Sequence, residues 1–139
     1  MIDERAARII RTLAEWLPAV AWAAVIFGFS TLHGSQVPGK YATEGHLIEY
    51  AVFGACLVFP LRRRRLVVMV LCAVLLASAY GITDELHQRF VPGRTPDVVD
   101  WATDTAGAAV GAGLAALLVA RRRRKDAAAR SDEVAVRRQ

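Results

Sequence analysis

Four apolar blocks, residues 17–31, 47–61, 66–82 and 98–120, run through a chain of only 139 residues. Within each block the apolar residues form near-continuous runs rather than one stripe per helical turn, so each needs an apolar surround on every side. A bilayer provides that surround, and hydrophobic residues reach 55% of the chain with a mean hydropathy of +0.31. The expected fold is all-α: one integral membrane domain of four transmembrane helices in two hairpins. Crossing the hydrocarbon core takes about 20 residues. The second and third blocks reach that length only if their polar ends, near His46 and Glu49 and near Asp84 and His87, stay helical. Those side chains then belong to helix ends rather than to free loops.

The flanks are different in kind. Residues 1–15 alternate Ile9, Ile10 and Leu13 with Arg5, Arg8 and Arg11, which predicts a short amphipathic helix on the membrane surface with Trp16 at the interface. A basic start before an apolar run also resembles a secretory leader; three further apolar blocks argue against cleavage. Residues 32–45 form a polar connector with a turn at Pro38-Gly39. Residues 126–139, mixed in charge and alanine-rich, are expected to be disordered or a frayed helix, a tail beyond a membrane domain of residues 1–125. Cys56 and Cys72 lie inside apolar blocks without CxxC spacing and read as small hydrophobes.

Charge orients the four spans. Arg62 to Arg65 and the run from Arg121 to Lys125 lie two spans apart and therefore on one side, which the positive-inside rule makes cytoplasmic together with both termini. That side carries +9 and the opposite side −4, which together give the net +5. The isoelectric point near 9.9 thus reflects anchoring on an anionic inner leaflet, with membrane lipids as the partner and no nucleic acid.

Every chemically capable group falls on the outer side. His46, Glu49 and Tyr50 share one face of the second helix at i, i+3 and i+4; Asp84, His87 and Gln88 repeat that spacing at the end of the third. Asp97, Asp100, Asp104, Gly107 and Gly111 make one stripe on the fourth, whose glycines permit close helix approach. That approach serves an internal contact or a subunit contact equally well. The three sets are expected to converge on a common pocket. Tyr41, Tyr50, Tyr80 and Trp101 are placed as an aromatic belt.

Val91-Pro92-Gly93-Arg94 reads as a type II turn with glycine at positive φ. Asp97 is the expected N-cap of the fourth helix, with Asp100 at N3 in a capping box. Arg94 is delivered above that helix N-terminus, where it either holds a phosphate or pairs with Asp97 or Asp100. Leu32-His33-x-x-x-Val37-Pro38-Gly39-Lys40 matches Leu86-His87-x-x-x-Val91-Pro92-Gly93-Arg94 at an offset of 54, as an internal repeat or as chance reuse of Pro-Gly.

Asp84-Glu85-Leu86-His87-Gln88-x-Phe90-Val91-Pro92-Gly93-Arg94, followed by Asp97, Asp100 and Gly107, resembles the signature of the VanZ-like family of bacterial membrane proteins. His46-Leu47-Ile48-Glu49-Tyr50 and the stretch from Phe27 to Ser30 resemble the family's earlier blocks. Two positions depart from it: Thr43 stands where the family often has lysine, and Asp104 where it often has asparagine. Both make this site more acidic. The resemblance implies an integral membrane protein near cell-envelope metabolism, and the family's namesake is associated with resistance to the glycopeptide teicoplanin.

Three function classes fit these residues, and they differ on whether the chain is an enzyme. In the first, an outer polar site binds or processes an envelope lipid or lipid-linked phosphate precursor. His46, Glu49, Gln88, Arg94, Asp97 and Asp104 would bind, and His87 with Asp84, Glu85 and Asp100 would supply acid–base chemistry. In the second, His46, Glu49, Asp84 and His87 hold a divalent metal, zinc or manganese. In the third, the same groups form a helix-locking hydrogen-bond network in an accessory protein.

Overall fold

The computed structural model describes residues 3–36 and 42–137; among them are five α-helices and one 3-10 turn, without strands. α1 is Glu4–Ala14 and α2 is Leu17–Ser30. After the 3-10 turn Gly34–Gln36 come α3 Ala42–Leu61, α4 Leu66–Gln88 and α5 Val98–Arg137. The turn expected at Pro38-Gly39, with Lys40 and Tyr41, lies outside the described residues.

Among the described residues four segments are long and apolar enough to cross a membrane: α1 with α2, the part of α3 from Glu44, α4, and α5. Alone, the 14 residues of α2 rise about 21 Å, short of the hydrocarbon thickness. The joint at Glu15-Trp16 keeps hydrogen bonds running, with Trp16 N–H donating to Leu13 O and Val20 N–H to Trp16 O. Pro18 sits in the first turn of α2, where a missing N–H needs no partner. As expected from their lengths, α3 and α4 stay helical through His46 and Glu49 and through Asp84 and His87.

The inward faces of α4 and α5 are made mostly of small residues, while many large ones stand outside. On α4, Met69, Ala73, Ala77 and Gly81 are buried, followed by Asp84, Glu85 and Gln88. On α5 the buried stripe is Asp104, Gly107, Ala108, Gly111, Ala112 and Ala116. Val20, Phe27, Leu71, Leu75, Leu114 and Leu118 stand exposed on the outside, the inverse of a water-soluble bundle. A Cβ on Gly107 would overlap the Leu47 carbonyl, and one on Gly111 the Ala51 carbonyl. Leu47–Gly107 and Ala51–Gly111 advance together, so α3 and α5 run parallel, backbone against backbone. The glycine stripe therefore serves an internal contact.

The basic end is closed by the chain itself. Arg62 and Arg63 donate to Glu15 Oε1 at 2.8 and 3.3 Å, and Arg123 donates to the Arg62 and Arg64 carbonyls. The tail corrects the expectation of disorder in favour of helix: α5 runs without a break past Lys125 to Arg137. No glycine or proline follows Gly113, alanine favours helix, and Arg137 pairs with Glu133 at 2.7 Å. The helix there is fully exposed.

Candidate functional site

At the opposite end α4 and α5 bring buried acids against His46 of α3. Asp104 is completely buried and its Oδ1 accepts from His46 Nδ1 at 2.9 Å, tying α5 to α3. Glu85, on α4, accepts the backbone N–H of Asp97 at 2.8 Å. Asp97 Oδ1 in turn accepts the Val99 N–H at 2.8 Å, so Asp97 is the N-cap of α5 as expected. The capping box is completed differently: the Asp97 N–H goes to Glu85 from the neighbouring helix, and Asp100 stays half-buried at the rim. An anion does sit at the α5 N-terminus, and it is this carboxylate.

Asp84 accepts from Gln88 Nε2 at 3.1 Å, both side chains buried. Glu49 is half-buried, within electrostatic reach of His46, Asp84, Asp104 and Arg94. His87 points elsewhere: its ring packs on Phe27 of α2, centroids 4.6 Å apart. Its Nε2 has no hydrogen-bond partner, so neither Asp84 nor Glu85 orients it. The metal set expected from the sequence, His46, Glu49, Asp84 and His87, is therefore not the one the helices gather. Among the described residues the gathered set is His46, Glu85 and Asp104, one ligand atom of each within 4.8 Å of the others. Facing direction explains the exchange. Glu85 and His87 sit two residues apart on α4, about 200° around the helix, and α2 takes the His87 side.

The turn before α5 matches its expectation. Gly93 has φ 76° and Arg94 N–H donates to Val91 O at 3.1 Å. The Pro92 carbonyl accepts from Gly34 N–H at 3.2 Å, joining the two connectors. Arg94 makes no ion pair with Asp97 or Asp100; its Nε is buried without a partner. The two copies of the proposed repeat differ where both are described, since His33 lies in a connector and His87 in a helix.

Of the residues expected in an aromatic belt, Tyr41 lies outside the described residues, Tyr80 and Trp101 are half-buried, and Tyr50 is placed in the core instead. Tyr50 is wholly buried. Tyr80 donates to Ala23 O at 2.7 Å and Trp101 Nε1 to Ser78 O at 3.2 Å, so both tie helices together. Trp101 also lines a cleft of about 450 Å³ between α4 and α5, with Ile82, Leu86, Val98, Arg89 and Glu85. Arg89 lies between the motif's acids and its Pro-Gly turn, and its side of α4 shows only once α5 is placed.

A family model described as VanZ/LLP1 matches residues 10–119. The chain belongs to the VanZ-like family. No curated protein and no solved structure matches it. The family match takes in every site residue described above and stops before the exposed extension of α5. Of the two departures from the family pattern, Asp104 proves central, because it supplies the buried carboxylate that holds His46. The side chain of Thr43 lies outside the described residues.

Proposed function

We propose that this VanZ-like membrane protein binds, at its extracytoplasmic end, an envelope lipid with an anionic headgroup, a lipid-linked phosphate precursor among them. The observation that carries this reading is the α4–α5 cleft. Its walls, Ile82, Leu86, Val98 and Trp101, are apolar enough for acyl chain, while Arg89 stands at the same opening for a phosphate. Arg94, free of any ion pair among the described residues, is a second cation at this end. Glu85 belongs both to the cleft and to the cluster with His46 and Asp104, so a headgroup held by Arg89 lies beside groups capable of acid–base chemistry. Binding a glycopeptide's lipid-linked target would connect the chain to teicoplanin resistance.

Lipid extracted with the purified protein and identified by mass spectrometry tests this. The expected result is an anionic lipid enriched over bulk membrane, lost in Arg89→Ala and reduced in Trp101→Ala. Equal lipid profiles for these variants and wild type would sink it. In cells, Arg94→Ala and Asp100→Asn at equal membrane levels should lose any antibiotic protection that wild type gives. The competing view, a helix-locking network, draws on the His46–Asp104 and Glu85–Asp97 links. It does not explain why the buried acids keep unpartnered oxygens.

A further inference from the structure

His46 on α3, Glu85 on α4 and Asp104 on α5 stand 8%, 8% and 0% exposed, with one ligand atom of each inside a 4.8 Å span. We propose that these three side chains bind one divalent transition-metal ion, Zn²⁺ or Mn²⁺, between the helices. The site stands independently of the lipid reading: only Glu85 is shared with the cleft.

Charge is the first argument. Two carboxylates face one imidazole in the triad, and Asp84, Asp100 and Glu49 lie within electrostatic reach of it. Arg94 lies within the same reach of Glu49, but no described lysine or arginine forms an ion pair with any of these acids. Buried carboxylates are held by partners or by metal, and those inside a membrane bundle mark function.

Unfilled valence is the second argument. Asp104 spends Oδ1 on His46 and Glu85 spends Oε2 on the Asp97 N–H. Their other oxygens, Asp104 Oδ2 and Glu85 Oε1, are buried without any partner. The Tyr50 hydroxyl, one turn from His46, is wholly buried and equally unpartnered. Gly81 keeps room here: a Cβ on it would come 3.3 Å from Asp104 Oδ2 and 3.5 Å from the Tyr50 ring.

Coordination chemistry is the third. One imidazole nitrogen and two carboxylate oxygens suit zinc or manganese and leave coordination positions open for water or an incoming oxygen ligand. The Asp97 N–H on Glu85 already fixes that carboxylate's orientation, as outer hydrogen bonds do around metal ligands. An ion that takes His46 Nδ1 displaces the one proton it shares with Asp104, so binding releases that proton.

The test uses the full chain in detergent, stripped with chelator and titrated with Zn²⁺ or Mn²⁺ alone, bound metal being counted by mass spectrometry. One ion per chain is expected, with proton release and a raised Tm. Asp104→Asn and His46→Gln should bind at least about 100-fold more weakly, and Arg89→Ala like wild type. Glu85→Gln, which keeps an oxygen for the Asp97 N–H, guards against loss of fold and should lose the ion while keeping its helical spectrum. No ion on stripped wild type at millimolar metal overturns the proposal, as do well-folded Asp104→Asn and Glu85→Gln that bind like wild type. Bound metal without enriched lipid would leave this site standing and remove the cleft reading; enriched lipid without metal would do the reverse.

Discussion

The two ends of the bundle handle charge in opposite ways. At the basic end the one buried acid, Glu15, has two arginine partners, and most of the remaining arginines are exposed. At the acidic end Asp84 and Glu85 of α4 and Asp104 of α5 are buried, two of them beside the His46 imidazole, and each keeps an oxygen without a partner. Matched, solvated charge fastens helices and meets lipid headgroups. Unmatched buried charge destabilises a bundle by itself and persists where something binds it.

Both ends hang on the α3–α5 crossing, so the widest break comes from filling it. Gly111→Leu should cost about 3 kcal/mol or more, read as loss of Tm and of monodisperse protein in detergent. The next largest effect separates the ends. His46→Ala leaves Asp104 with neither oxygen partnered and should destabilise by about 2–3 kcal/mol. His46→Ala with Asp104→Leu should recover most of that loss, since an apolar pair replaces a stranded charge. If the double variant is as unstable as the single, the strain at the acidic end has been misjudged. Glu15→Gln at the basic end should cost only about 1 kcal/mol, because its arginine partners reach water. Truncation after Lys125 should change Tm by the equivalent of less than about 0.5 kcal/mol, since residues 126–137 are exposed.

The sequence made the skeleton plain and the facing directions obscure. Apolar blocks with turn residues between them located four spans, and the length rule placed His46, Glu49, Asp84 and His87 on helices. Gly93 announced its positive φ because only glycine suits that corner. What spacing could not settle was which side of α4 looks inward. Asp84 with His87 and Asp84 with Glu85 are both compatible with a helix end, and only the seat of α2 against His87 decides between them. Tyr50 was misplaced for a similar reason: an aromatic near a span's end suits an interface or a core equally. The tail's composition leaves disorder and helix open, because a segment without a core pattern can still propagate an existing helix when nothing stops it.

We propose a direction for this contrast, from the positive-inside rule: the acids away from the cytosol and the arginines toward it. Single cysteines at Thr95 and at Arg64, in a chain lacking Cys56 and Cys72, can be probed in intact cells with a membrane-impermeant maleimide. The account predicts labelling at Thr95 from outside, and labelling at Arg64 only after the membrane is opened. Labelling at Arg64 with Thr95 protected would contradict it.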